Sequence, residues 1–175
     1  QEITDSLNSL KKTFIIAIIG IYLLLVILFN SFIQPFLVLS AIPFAIIGVI
    51  IAFALNNEPL GFFCMLGIVG LSGVVVNDSL VLVHRINKLK KTNKMPIQKT
   101  IIQATKERIR PIIITTLTTA GGVIPLAYGL GGFDPFIAPM AMALGIGILF
   151  ATPLILILIP AFYVICIDIK NLIKK

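Results

Sequence analysis

The stretch GFFCMLGIVGLSGVVVNDSLVLVH, residues 61–84, decides how the rest of the chain is read. Its length suits a membrane span, which takes about 20 apolar residues, yet its C-terminal third carries Asn77 and Asp78 side by side. A carboxylate at the centre of a spanning helix costs about 2.5–3.5 kcal/mol on insertion scales, so a segment that served only as an anchor would not hold one. On a wheel of about 3.6 residues per turn, Gly67, Gly70, Val74, Asn77, Asp78 and Val81 fall in one sector. Gly67, Gly70 and Gly73 therefore read as helix-packing positions, with GLSG at residues 70–73 a packing motif and not a hydrolase signature. For Asn77 and Asp78 there are two readings: polar glue between helices, or an ionisable group with a task inside the membrane.

Composition supports the membrane reading of the whole chain. Of 175 residues, 58% are hydrophobic and only 12% are charged, and mean hydropathy is +1.10. A soluble domain of this size has no use for so much apolar surface. The expected fold is all-α: a polytopic membrane bundle of five transmembrane helices plus one cytoplasmic interfacial helix. The formal charge is +7, but the positive residues are concentrated in one loop, which makes them a topology signal and not a nucleic-acid footprint. Cys64 and Cys166 lie in apolar segments and read as small hydrophobic residues, with no disulfide framework and no metal site. No cofactor is expected.

Taken in order, residues 1–12 are a polar helical lead-in opening on Gln1, as expected of a chain continuing from an upstream region. Residues 13–84 hold three spans, over 13–29, 35–55 and 61–84. Pro35 suits the first position of the second helix and Pro43 lies inside it. Residues 85–110 carry Arg85, Lys88, Lys90, Lys91, Lys94, Lys99, Lys106, Arg108 and Arg110 against the single acid Glu107, which marks a cytoplasmic loop. Within it, Ile97, Ile101, Ile102 and Ile109 lie near one face and Lys99, Gln103 and Lys106 away from it. That pattern predicts an amphipathic interfacial helix ending at Arg110-Pro111. Residues 111–167 supply two more spans, about 111–130 and 138–167, and 168–175 form a basic cytoplasmic tail. Five spans then put the N-terminus in the periplasm and the tail inside.

In the fourth span Thr115, Thr118, Thr119 and Gly122 share a face by helical spacing. The threonines either bond back to their own helix or form a small polar stripe against the Asn77/Asp78 helix; the two readings are compatible. The glycine-rich turn GLGGFDP, residues 129–135, lacks the lysine-serine of a nucleotide loop. Nothing points to an enzyme: His84 is the lone histidine, and neither GxSxG nor HExxH occurs.

The runs GVVVNDSLVLVHRIN (73–87), RIRPIIITTLTTAGGVIPLA (108–127) and IAPMAMALGIGILFATPLILILIPAFY (137–163) resemble the permease subunits of resistance–nodulation–division (RND) efflux pumps, over nearly the whole chain. The match is to the last five of the family's usual twelve helices, the eighth to the twelfth. A related branch, the accessory subunits of Sec-type protein export, shares helices like the NDS and TTLTT segments, but GGVIPLA and LIPAFY look closer to the efflux branch.

The resemblance implies an inner-membrane secondary active transporter that exchanges substrate for protons, not an enzyme. It implies protons as the coupling ion, membrane lipid and the N-terminal half of the transporter as partners, and a homotrimer with a periplasmic adaptor in the full-length form. It implies a relay in which two acids of the fourth helix, absent from these residues, face polar groups on helices ten and eleven. Asn77 then stands where many relatives carry lysine, Asp78 where many carry asparagine, Thr115 at a relay threonine, and Arg108 at an arginine by the cytoplasmic entrance. The alternatives are an accessory membrane subunit of protein export, or a remnant that transports nothing.

Overall fold

The computed structural model of the chain describes residues 2–92, 96–130 and 132–173. Lys94 of the basic loop, Gly131 of the glycine-rich turn, and Lys174 and Lys175 of the tail lie outside the described residues. The described part is all-α. In order the helices are α1 (Glu2–Phe29), α2 (Ile33–Leu39), α3 (Ala41–Asn56), α4 (Phe62–Thr92), α5 (Ile97–Ala127) and α6 (Ile137–Ile173). Five helical stretches are long and apolar enough to cross a membrane, with α2 and α3 together making one of them.

The breaks between helices follow local chemistry. The second span is interrupted at Ser40, not at Pro43. Pro43 sits in the first turn of α3 and cannot donate to the carbonyl four residues back, so the continuous helix ends just before it. The Ser40 hydroxyl bonds the Leu37 carbonyl at 2.7 Å, and its backbone N–H bonds Phe36 O at 3.0 Å. At the end of α3, Asn57 takes the left-handed conformation (φ 53°), and the Glu58 N–H returns to Phe53 O at 3.1 Å. That is the six-to-one closure that satisfies an orphan carbonyl. Gly129 (φ 67°) closes α5 the same way, with Leu130 N–H on Pro125 O at 2.8 Å. Asp134, in the sequence merely the acid of a glycine-rich turn, starts α6: its carboxylate accepts from the N–H groups of Phe136 and Ile137 at 2.8 and 3.2 Å.

One expectation needs correction. No separate interfacial helix ends at Arg110-Pro111; α5 runs unbroken through Pro111. A proline disfavours the helical region for the residue before it but does not forbid it, and spanning helices tolerate the lost hydrogen bond. The buried face of the segment also differs from the predicted one. Thr100, Ile101 and Ala104 are buried, whereas Ile102 is exposed. The segment therefore packs as the first turns of a spanning helix.

The core lies among α3, α4 and α6, where Val49, Phe53, Leu71, Val75, Ile148 and Ile155 are almost wholly buried. Glycines allow these helices close approach. A Cβ at Gly67 would stand 2.6 Å from the Met140 carbonyl oxygen and 2.7 Å from the Ala143 Cβ, so only glycine fits there without moving α6. Helix α1 packs on α2 and α4 and leaves Ile16, Leu24 and Ile27 exposed, as a lipid-facing helix does.

Candidate functional site

Asn77, Asp78 and Val81 of α4 and Arg108, Pro111, Ile112 and Thr115 of α5 line one cleft of about 190 Å³. All four residues singled out in the sequence as relay positions thus border the same space, although α4 and α5 reach it from separate spans. Asn77 and Asp78 do not act as a matched pair, however. Neighbours in a helix diverge by about 100°, and here the boundary between packed and uncovered surface passes between them. Asp78 is 8% exposed, on the same side as buried Gly67 and Leu71. Asn77 is exposed, on the side of Gly70 and Gly73, which are exposed too.

Among the described residues Asp78 makes no ion pair, although Arg108 lines the same cleft. Among the described residues the only ion pair is Arg85–Glu107, in which the Arg85 Nε donates to Glu107 Oε2 at 2.6 Å and Nη2 lies 2.5 Å from the same oxygen. Gln103 Nε2 adds a contact to Glu107 Oε1 at 3.2 Å. That cluster ties the two helices together near Arg108, while Arg108 itself, half-buried, is left to line the cleft. Next to Asp78, the Ser79 Oγ is fully buried and has no hydrogen-bond partner among the described residues. A buried hydroxyl without a partner carries a desolvation cost of about 1–3 kcal/mol.

The threonine face resolves into two sides. Thr115 donates its hydroxyl proton into its own helix, with Ile112 O at 2.8 Å and Pro111 O at 3.2 Å. Thr118 does the same to Ile114 O and Thr115 O at 2.9 and 3.0 Å. Both are exposed, as is Gly122, and Thr119 is half-buried. A Cβ at Gly73 or Gly122 would meet nothing within 4 Å, whereas one at Gly70 would touch Leu144 Cδ1 at 3.3 Å. The hydroxyl that joins helices is Thr116, one position along, only 4% exposed. The Thr152 hydroxyl donates to Ile148 O at 2.8 Å, so its oxygen accepts the Thr116 proton, at 2.7 Å. This link runs to α6, against which α5 packs more extensively than against α4.

A second polar cluster went unremarked in the sequence. The Asn87 and Gln34 amides pair reciprocally, with Asn87 Nδ2 on Gln34 Oε1 at 2.7 Å and Gln34 Nε2 on Asn87 Oδ1 at 3.3 Å. The Tyr163 hydroxyl donates to Asn87 Oδ1 at 2.7 Å. Helices α2, α4 and α6 are joined at this one residue. No local pattern could have announced it, since its members lie 53 and 76 positions apart.

Residues 1–167 match the AcrB/AcrD/AcrF family. The chain is 32% identical over 166 residues to the swarming motility protein SwrC of Bacillus subtilis, covering 93% of this chain and 15% of that protein. It is 30% identical over 163 residues to the multidrug resistance protein MdtC of Proteus mirabilis, covering 93% and 16%. The crystal structure of a heavy metal efflux pump superimposes with a TM-score of 0.76 at 27% identity, over 86% of this chain and 15% of that one. The chain therefore spans about one-sixth of the length of the proteins it matches.

Proposed function

The chain belongs to the AcrB/AcrD/AcrF family, the RND efflux transporters, and on that premise we propose that it forms the C-terminal membrane part of a pump driven by the proton-motive force. In this reading α1 to α6 are the eighth to twelfth spanning helices. The basic residues around α4 and α5 lie in the cytoplasm, and the N-terminus faces the periplasm. The full-length protein is a homotrimer working with a periplasmic adaptor.

The observation that carries the reading is the convergence of Asn77, Asp78, Arg108 and Thr115 on one cleft, with a buried carboxylate that no cation neutralises. A structural carboxylate at such depth would be paired. One that takes up and releases a proton has to be left with a vacant side. Asp78 is that group, Asn77 and Thr115 present amide and hydroxyl to the proton path, and Arg108 sets the potential at its mouth. Each proton that crosses supplies about 2.3 kcal/mol per 100 mV of membrane potential, enough to move helices that are held by a few hydrogen bonds. Cargo is chosen elsewhere: relatives bearing the names of a multidrug resistance protein and of a heavy metal pump share these same helices.

The deciding experiment replaces Asp78 by Asn in the full-length transporter and measures expression together with substrate efflux under an imposed pH gradient. Normal expression with lost proton-coupled efflux is expected. If both remain at the wild-type level, the relay role is wrong.

A further inference from the structure

A cavity larger than the cleft at Asp78 lies toward the C-terminal end of α4. It lies between the last turn of α1, the start of α2 and the C-terminal turns of α4, and measures about 510 Å³. Leu28 and Phe29 form one side, and Gln34, Asn87 and His84 form another. Lys88, Lys90 and Lys91 stand around it. We propose that this cavity binds the phosphate-bearing headgroup of an anionic phospholipid.

Four observations support it. The three lysines are exposed, and none forms an ion pair among the described residues, where only Arg85–Glu107 does. Three unneutralised ammonium groups around one hollow repel one another and draw in an anion. The polar wall is held in place, because Asn87 is fixed by Gln34 and by Tyr163. A smaller cavity of about 90 Å³ adjoins it, sharing Gln34 and Lys90, so the basic hollow continues toward α6. The remaining side is apolar and belongs to the apolar C-terminal part of α1, with Leu28 exposed beside Ile27 and Leu24.

A free phosphate has no use for Leu28 and Phe29. A phospholipid has use for both halves of the site: its phosphate lies among the lysines while its acyl chains run along α1. A basic pocket between spanning helices at the level of the lipid headgroups is the arrangement such recognition needs. The proposal does not depend on the relay reading, since it shares no residue with the Asp78 cleft.

Native mass spectrometry of the purified protein tests it. The protein is titrated with palmitoyl-oleoyl phosphatidylglycerol, with phosphatidylcholine of the same chains, and with water-soluble glycerophosphoglycerol. Phosphatidylglycerol should bind at least about tenfold more tightly than phosphatidylcholine. The triple variant Lys88→Gln, Lys90→Gln, Lys91→Gln should abolish that preference. The control Lys99→Gln, Lys106→Gln, Arg110→Gln removes equal charge from α5 and should keep it within about twofold. Leu28→Asn, which removes apolar contact without adding charge, should weaken phosphatidylglycerol and leave the soluble headgroup unaffected. Equal losses in the two triple variants would reduce the effect to diffuse surface charge. Glycerophosphoglycerol binding as tightly as the lipid would make this a site for soluble anions. Absence of any preference between the two lipids would also overturn the proposal.

Discussion

Two polar clusters sit on α4, about nine residues apart in sequence (Asp78 to Asn87), and they are built on opposite principles. Around Asn87 every group has a partner: two amides bond reciprocally, and a tyrosine hydroxyl completes the set. Around Asp78 the polar residues converge on a cleft but form no ion pair with the carboxylate among the described residues, and the Ser79 hydroxyl, next in sequence, has no partner there either. The first arrangement locks three helices into one geometry. The second leaves a buried carboxylate without an ion-pair partner among the described residues. A satisfied buried network fixes one geometry, whereas an unsatisfied buried group calls for an explanation of its own.

The comparison can be broken by substitution. Asn87→Leu should have the largest effect on stability, on the order of 2–4 kcal/mol, because Gln34 and the buried Tyr163 hydroxyl lose their shared partner. Thermal unfolding in detergent measures this; a loss under about 0.5 kcal/mol would show the closed cluster to be ornamental. Gly67→Ala should cost about 1–3 kcal/mol, since the new methyl meets a backbone carbonyl and not a yielding side chain. The matching control is Gly122→Ala, where nothing stands in the way and little or no loss is expected.

Thr116→Val should cost about 1 kcal/mol. It removes one hydroxyl, while Thr152 keeps its bond to Ile148 O. Thr118→Val, which takes away only a bond back to its own helix, should cost less; the reverse order would contradict the assignment of the inter-helix link. Asp78→Asn should be the smallest in stability, within about 0.5 kcal/mol or slightly favourable, because no partner is lost and a buried charge is relieved. A loss above about 2 kcal/mol would place Asp78 in a structural network after all and erase the contrast with Asn87.

How much of this could be read in advance depends on whether the signal was local. The spans were legible because twenty apolar residues in a row have few other uses. The turn at Asn57 and the end of α5 near Gly129 were likewise marked by residue type. The co-location of Asn77, Asp78, Arg108 and Thr115 followed from the family resemblance, not from spacing. What escaped was tertiary. A helical wheel found the Thr115/Thr118 stripe but not which side of α5 would be covered, and the neighbour that packs inward is Thr116. Covering is itself uneven: half of the most apolar stretch of α4 and of α6 is buried, against 17% for α5. Much of α5 is thus uncovered here, and the sequence has no means of saying so. The continuity of α5 across Pro111 was lost to a local rule that longer-range packing overrode.

That continuity has a mechanical meaning. A helix of 31 residues is a stiff rod, and a proline inside it takes out one rung of the hydrogen-bond ladder. Pro111 and Pro125 give α5 two such points, and the first is in the wall of the Asp78 cleft. Arg108 stands on one side of it and Thr115 on the other. A bend at Pro111 would alter the spacing between them, and with it the shape of the cleft.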